Sequence, residues 1–160
     1  MWDLAKSFPG MKAVNTGFGG SEIRDVTHFA DRLIFNHQPN VIVFYAGDND
    51  ISSSRTPDQV LADFKAFVDA AHARLPKTPV YFISIKPSPA RWAKYETQTK
   101  ANALVKAMCE KDQWLGYIDV VPLLLGGDGK PVEEYYAKDG LHLSPDGYDL
   151  LSKLVIRSID

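Results

Sequence analysis

The sequence contains little of what several protein classes require. Its one cysteine, Cys109, excludes an internal disulfide and leaves the redox compartment open. No apolar run is long enough to cross a membrane, and no signal peptide is visible in a chain whose start looks incomplete. The net charge of −2, without a basic cluster, argues against nucleic acid as a partner. What is present, 45% apolar and 24% charged residues, is typical of a globular protein.

Short apolar runs alternate with stretches of helical spacing along the chain. The predicted strands are Met11–Asn15, Val41–Ala46, Pro79–Ile85 and Trp114–Val120. The predicted helices are 21–35, 56–75, 95–112 and 144–159. The second strand, "VIVFYA", lacks polar alternation, which predicts burial on both faces. The alternation predicts one α/β domain over residues 1–160, in which helices cover both faces of a parallel, flavodoxin-like sheet.

A glycine-rich turn, "NTGFGGS", follows the first predicted strand, at the edge where such sheets bind ligands. Its glycines do not make a dinucleotide fingerprint, because Glu22 stands where the third glycine is needed. Two interpretations stay open. The turn needs glycine for a positive φ, or it leaves a backbone N–H open to an anion at the start of the next helix.

The second predicted strand leads into "GDND". Asp48, Asp50 and Ser52 alternate like the start of a calcium loop, but the glycine and glutamate that such a loop needs later are missing. The stretch is then either a polar turn or a place where the Asn49 amide donates a hydrogen bond into a site. After the third strand, "KPSPARW" predicts a rigid loop, whose Trp92 and Arg91 either line a pocket wall or pack.

An acid and an imidazole, Asp139 and His142, lie three residues apart just before the last predicted helix. Alone, the pair is typical of a surface turn ahead of a helix that begins at "SP". Together with a glycine N–H and an asparagine amide, it supplies the parts of acyl transfer. The histidine is the base, the aspartate holds its tautomer, and the N–H donors stabilise the oxyanion.

In three blocks the chain resembles the SGNH, or GDSL-type, hydrolases. Gly20 of "GFGG" is similar to the family's oxyanion glycine, Asn49 of "GDND" to its oxyanion asparagine, and Asp139 and His142 of "DGLH" to its "D-x-x-H". The blocks span nearly the whole chain in the family's order. The resemblance implies a serine-dependent hydrolase of small carboxylic esters, with an ester as its small-molecule partner and with no cofactor or metal.

The family's first block, a serine in a "G-D-S" or "G-x-S" turn after an apolar strand near the N-terminus, has no match at the start of this chain. The opening "MWDLAKSFPG" resembles the short helix that follows that serine, so we expect the nucleophile upstream of Met1 or a truncated chain of impaired activity. Ser21 follows the glycine turn and is the other candidate nucleophile. We interpret it instead as the N-cap of the helix behind it.

The strand of that first block would lie between Met11–Asn15 and Val41–Ala46. Without it, the backbone groups of those strands would face a gap, which is costly. We expect the first strand to move beside the second, or a partner subunit to fill the gap, and we favour a homodimer.

Two other functions stay open. The chain could be a non-catalytic remnant that binds an anion or acyl group, or a flavodoxin-like binder of small molecules in which the Asp139–His142 pair is incidental. The acyl length, the alcohol and the compartment do not follow from the sequence.

Overall fold

The computed structural model describes residues 2–159 as three strands, seven α-helices and three short 3-10 helices. The strands are β1 (Ile42–Phe44), β2 (Val80–Ile83) and β3 (Leu115–Ile118). The helices are α1 (Leu4–Ser7), α2 (Ile23–Leu33), α3 (Asp48–Ser52), α4 (Pro57–Arg74), α5 (Tyr95–Cys109), α6 (Val121–Leu124) and α7 (Pro145–Ile159). The 3-10 helices are Phe35–His37, Pro89–Lys94 and Glu133–Tyr135. In this part of the chain, no helix has the length and apolarity to span a membrane.

The strands form one parallel sheet in the order β1-β2-β3. Ile42 pairs with Val80, and Val80 in turn pairs with Leu115. Successive side chains of β2 point to opposite faces, so that Phe82 packs with α2, α4 and α5 while Ile83 packs with α1 and α7. The predicted α/β fold, a parallel sheet between helical layers, is confirmed.

Helix α4 shows why the sequence folds locally as predicted. Thr56 accepts a hydrogen bond from the backbone of Gln59, whose side chain accepts one from the Thr56 backbone, and proline follows at the first helical position. Phe64 and Phe67 of this helix are fully buried, and the ring of Phe67 lies 4.3 Å from that of Phe44 in β1. Burial of each such ring contributes about 1.5–3 kcal/mol, which fixes α4 on the sheet.

The predicted strand Met11–Asn15 is wrong, because no strand forms there. The segment has no regular secondary structure, and the side chains of Met11 and Val14 are exposed. A strand is stabilised by backbone hydrogen bonds to a neighbour, and within residues 2–159 no strand lies beside this segment. Nor has it moved beside β1, which was one of the two expected ways of closing the sheet.

The predicted burial of both faces of the second strand is also wrong. Ile42 and Phe44 are buried, whereas Val43 and Tyr45 on the other face are 36% and 41% exposed. The reason is the position of α7, which packs on β3 at the opposite edge of the sheet. In the part of the chain that the structure describes, one face of β1 is therefore only partly covered, and no strand pairs with its outer edge.

Candidate active site

Gly47 sets the turn from β1 into α3. Its φ is +108°, and a Cβ at this position would lie 2.7 Å from Cδ1 of Ile85. Only glycine combines that backbone conformation with so close an approach. The sharp turn places Asn49 in the first turn of α3, directly beyond the carboxyl end of the sheet.

The glycine turn and "GDND" meet through side chains of the second block. Asn49 Nδ2 donates to the carbonyl of Ser21 over 3.0 Å, and the Asp50 carboxylate accepts the Ile23 N–H over 3.1 Å. Asp50 is fully buried, and this burial raises its pKa above the ordinary value. Gly20 precedes Ser21 with a φ of +78°, and no acceptor among the described residues takes its N–H. The structure thus brings Gly20 and Asn49 together.

The interpretation of Ser21 as the N-cap of α2 is wrong. The N-cap is Glu22, which forms a capping box with Asp25: each side chain accepts a hydrogen bond from the other's backbone. This reciprocal pair satisfies two open N–H groups at the helix start, whereas a serine would satisfy one. The Ser21 hydroxyl instead donates to the carbonyl of Phe18 over 2.9 Å.

Asp139 and His142 form a hydrogen-bonded pair. His142 Nδ1 lies 2.6 Å from Asp139 Oδ2, and Asp139 Oδ1 accepts the N–H groups of Leu141 and His142 over 2.9 and 3.0 Å. The hydrogen bond from the imidazole, with those from the backbone, holds the pKa of Asp139 well below its ordinary value. With its proton on Nδ1, the ring keeps Nε2 free as a base, and its side chain is 71% exposed and open to a substrate.

Two contacts attach this turn to the loop after β2. Gly140, between the acid and the imidazole, accepts the N–H of Ala90 over 3.0 Å. The Tyr136 hydroxyl donates to the carbonyl of Pro87 over 2.6 Å. Because Arg91, the residue after Ala90, reaches Asn49, one short loop contacts both the asparagine block and the Asp–His block.

A buried group of charges lies beneath these residues, and sequence reasoning missed it. Asp48 contacts Arg91 over 2.8 Å, Gln98 over 3.1 Å and Lys86 over 3.3 Å, and we call these four residues the Asp48 cluster. Burial is the main cause of the lowered pKa of Lys86, while Asp48 opposes that shift. One signal in the sequence could have indicated the cluster: Asp48 closely follows the second predicted strand, and Lys86 directly follows the third.

The arrangement offers a base held by an acid, and N–H donors at the same sheet edge. Within residues 2–159, no serine hydroxyl is hydrogen-bonded to the His142 ring. In the same range, no three His, Cys, Asp or Glu side chains are grouped to hold a metal ion. These parts suit a proton transfer coupled to stabilisation of an oxyanion.

Comparisons with known proteins bear on the family and on the fold of this chain. The model of the GDSL-like lipase/acylhydrolase family matches residues 2–150. A candidate platelet activating factor from Streptococcus pneumonia is 24% identical with a TM-score of 0.89, over 99% of this chain and 78% of that one. A candidate acylhydrolase from Bacteroides fragilis is 22% identical with a TM-score of 0.84, over 98% and 78%. A family 3 carbohydrate esterase from Talaromyces cellulolyticus is 17% identical with a TM-score of 0.75, over 89% and 68%. No curated protein sequence matches the chain.

Proposed function

The chain belongs to the GDSL-like lipase/acylhydrolase family, a family of ester hydrolases, and from that premise we propose that it cleaves small carboxylic esters through a serine acyl-enzyme. The observation that carries the proposal is the 2.6 Å contact between His142 Nδ1 and Asp139 Oδ2. It leaves the other ring nitrogen of an exposed imidazole free to take a proton. The contacts of Asn49 with the glycine turn support a paired oxyanion hole.

In the proposed reaction, a serine hydroxyl gives its proton to His142 Nε2 while its oxygen bonds to the ester carbon. The carbonyl oxygen becomes an oxyanion that accepts hydrogen bonds from Gly20 N–H and Asn49 Nδ2. The intermediate collapses, the alcohol leaves with the proton from His142, and water releases the acid by the same steps. Asp139 holds the ring and stabilises its protonated form.

In this proposal the nucleophile is the serine of the family's first block. The pattern of the family places it in a "G-D-S" turn ahead of the segment that contains α1. None of the serines in the described residues has the hydrogen bond to the imidazole that an activated nucleophile needs. The chain taken alone would then be impaired, which leaves binding of an acyl group or anion as a second candidate function.

Hydrolysis of a chromogenic short-chain ester tests the proposal. Where hydrolysis is measured, we expect His142→Ala to lower the rate at least about a hundredfold, the effect of losing a general base. His37→Ala, at the amino-terminal side of β1, is the matched control and should leave the rate unchanged. Ser21→Ala should also leave it nearly unchanged. Complete loss of activity in Ser21→Ala with an intact fold would instead make Ser21 the nucleophile.

If no ester is hydrolysed, binding of acetate decides between the two candidates. A binder that uses the same hole should lose acetate affinity in Asn49→Ala and keep it in His37→Ala. Hydrolysis that is unaffected by His142→Ala would refute the proposed mechanism.

A further inference from the structure

We propose that Arg91 positions Asn49 by fixing which end of its amide faces the candidate oxyanion hole. The inference rests on the proposed function, because it concerns the donor on which that function depends. Arg91 is a positioning residue in this view, since it touches Asn49 and acts through it.

The orientation of an asparagine amide decides whether it can serve an oxyanion. Its nitrogen donates two hydrogen bonds and its oxygen only accepts. A flipped amide would place a carbonyl oxygen against the developing negative charge, which is repulsive. An oxyanion hole that uses Asn49 therefore needs contacts that hold the amide in one orientation.

Arg91 makes such a contact, because a guanidinium has donors and no acceptor and can therefore bind the amide oxygen but not the amide nitrogen. One of its terminal nitrogens donates to Asn49 Oδ1 over 3.0 Å. On the opposite side of the amide, Asn49 Nδ2 donates to the Ser21 carbonyl over 3.0 Å. A flip would break both contacts, and the second N–H of Nδ2 remains for an oxyanion. The positive charge of the guanidinium beside Asn49 Oδ1 also polarises the amide, which strengthens its N–H groups as donors.

The guanidinium is itself held in place. Its other terminal nitrogen contacts Asp48 over 2.8 Å, so the two arms of Arg91 bind consecutive residues of α3. Lys86 and Gln98 hold the same Asp48 carboxylate from other directions. The backbone around Arg91 is fixed as well, since its N–H donates to the Ser88 carbonyl over 3.2 Å. Four-fifths of the side chain is buried, which reduces competition from water.

Arg91→Met tests the inference, because it keeps much of the side-chain length and removes every donor. The chain offers a matched control in Arg55→Met. Arg55 also pairs with an aspartate, Asp63, and its side chain is 20% exposed compared with 19% for Arg91. A general effect of losing a largely buried arginine would appear in both variants, whereas an effect on the amide of Asn49 would appear only in Arg91→Met.

The first readout is the side-chain NH₂ signal of Asn49 in the ¹⁵N-labelled chain, assigned by its loss in Asn49→Asp. We expect Arg91→Met to shift this signal and speed its hydrogen exchange, while Arg55→Met leaves it in place. Arg91→Lys should shift it less, because an ammonium retains the charge without the planar fork. If Arg91→Met does not fold, Arg91→Lys alone decides. An Asn49 signal that is unchanged in the folded variant overturns the inference.

The second readout is ester hydrolysis, read as kcat and KM separately. Loss of one oxyanion donor lowers kcat on the order of 10²–10³-fold, and Arg91→Met should approach that loss at an unchanged KM. In an Asn49→Ala background, Arg91→Met should have no further effect on kcat. An equal loss in both backgrounds would show that Arg91 acts on the substrate directly and would overturn the inference. If the chain hydrolyses no ester, the NMR result alone decides on Arg91.

Discussion

Beyond the carboxyl end of β2, the Asn102 side chain makes the backbone hydrogen bonds that a neighbouring strand would otherwise make. We expect its removal to destabilise the fold strongly. The Ile85 N–H donates to Asn102 Oδ1 over 2.8 Å, and Asn102 Nδ2 donates to the Ile85 carbonyl over 2.9 Å. Ile85 is fully buried and Asn102 nearly so. In Asn102→Ala, a buried donor and a buried acceptor of the main chain lose the partner they have in the structure.

The size of the loss follows from those two groups. Each buried polar group left without a partner costs about 1–3 kcal/mol, so the pair should cost about 2–6 kcal/mol. A domain has about 5–15 kcal/mol of stability in total, so this change should remove a large part of it. Because the Ile85 side chain packs beneath Gly47, the turn that carries Asn49 should loosen first.

Urea unfolding followed by circular dichroism measures this effect. The control is Asn36→Ala, an exposed asparagine in the 3-10 helix Phe35–His37, whose loss should change the free energy of unfolding by less than about 0.5 kcal/mol. A loss below about 1 kcal/mol in Asn102→Ala, at an unchanged denaturant slope, would show that water satisfies the Ile85 groups. The reasoning from buried hydrogen bonds would then be refuted.

Three further outcomes follow from the structure. Gly47→Ala should lower the thermal midpoint, since a positive φ in a residue other than glycine costs about 1–3 kcal/mol and the methyl group also meets a neighbouring side chain; an unchanged midpoint would contradict the close approach. The raised pKa of Asp50 means that the folded state binds its proton more tightly than the unfolded state. Its contribution to the free energy of unfolding therefore falls as pH rises from 3.8 through the raised pKa. Asp50→Asn keeps an acceptor for the Ile23 N–H but cannot titrate, so its free energy of unfolding should not show that fall. The measurement is the free energy of unfolding of both proteins as a function of pH, and parallel curves would contradict the raised pKa. The open edge of β1, with Val43 and Tyr45 exposed beside it, should pair with a second copy of the chain. Light scattering at several concentrations should show a homodimer, and a monomer at every concentration would contradict this.

The sequence by itself determined the elements that depend on neighbours along the chain. The cap at Thr56, the proline after it and the helical spacing of apolar residues predicted α4 within one residue at each end. The contact between Asp139 and His142 also follows from local spacing, because three residues of a tight turn bring both side chains to one place. These features need no contact with a distant part of the chain.

Only the tertiary structure decided the features that depend on a distant partner. Met11–Asn15 has the composition of a strand, yet it forms none because no strand lies beside it. The exposure of Val43 was likewise decided by where α7 packs. The link from Arg91 to Asn49 joins residues 42 positions apart. Local composition does not predict such pairs, because they are stabilised by burial and hydrogen bonds that form only once the sheet has brought its strand ends together.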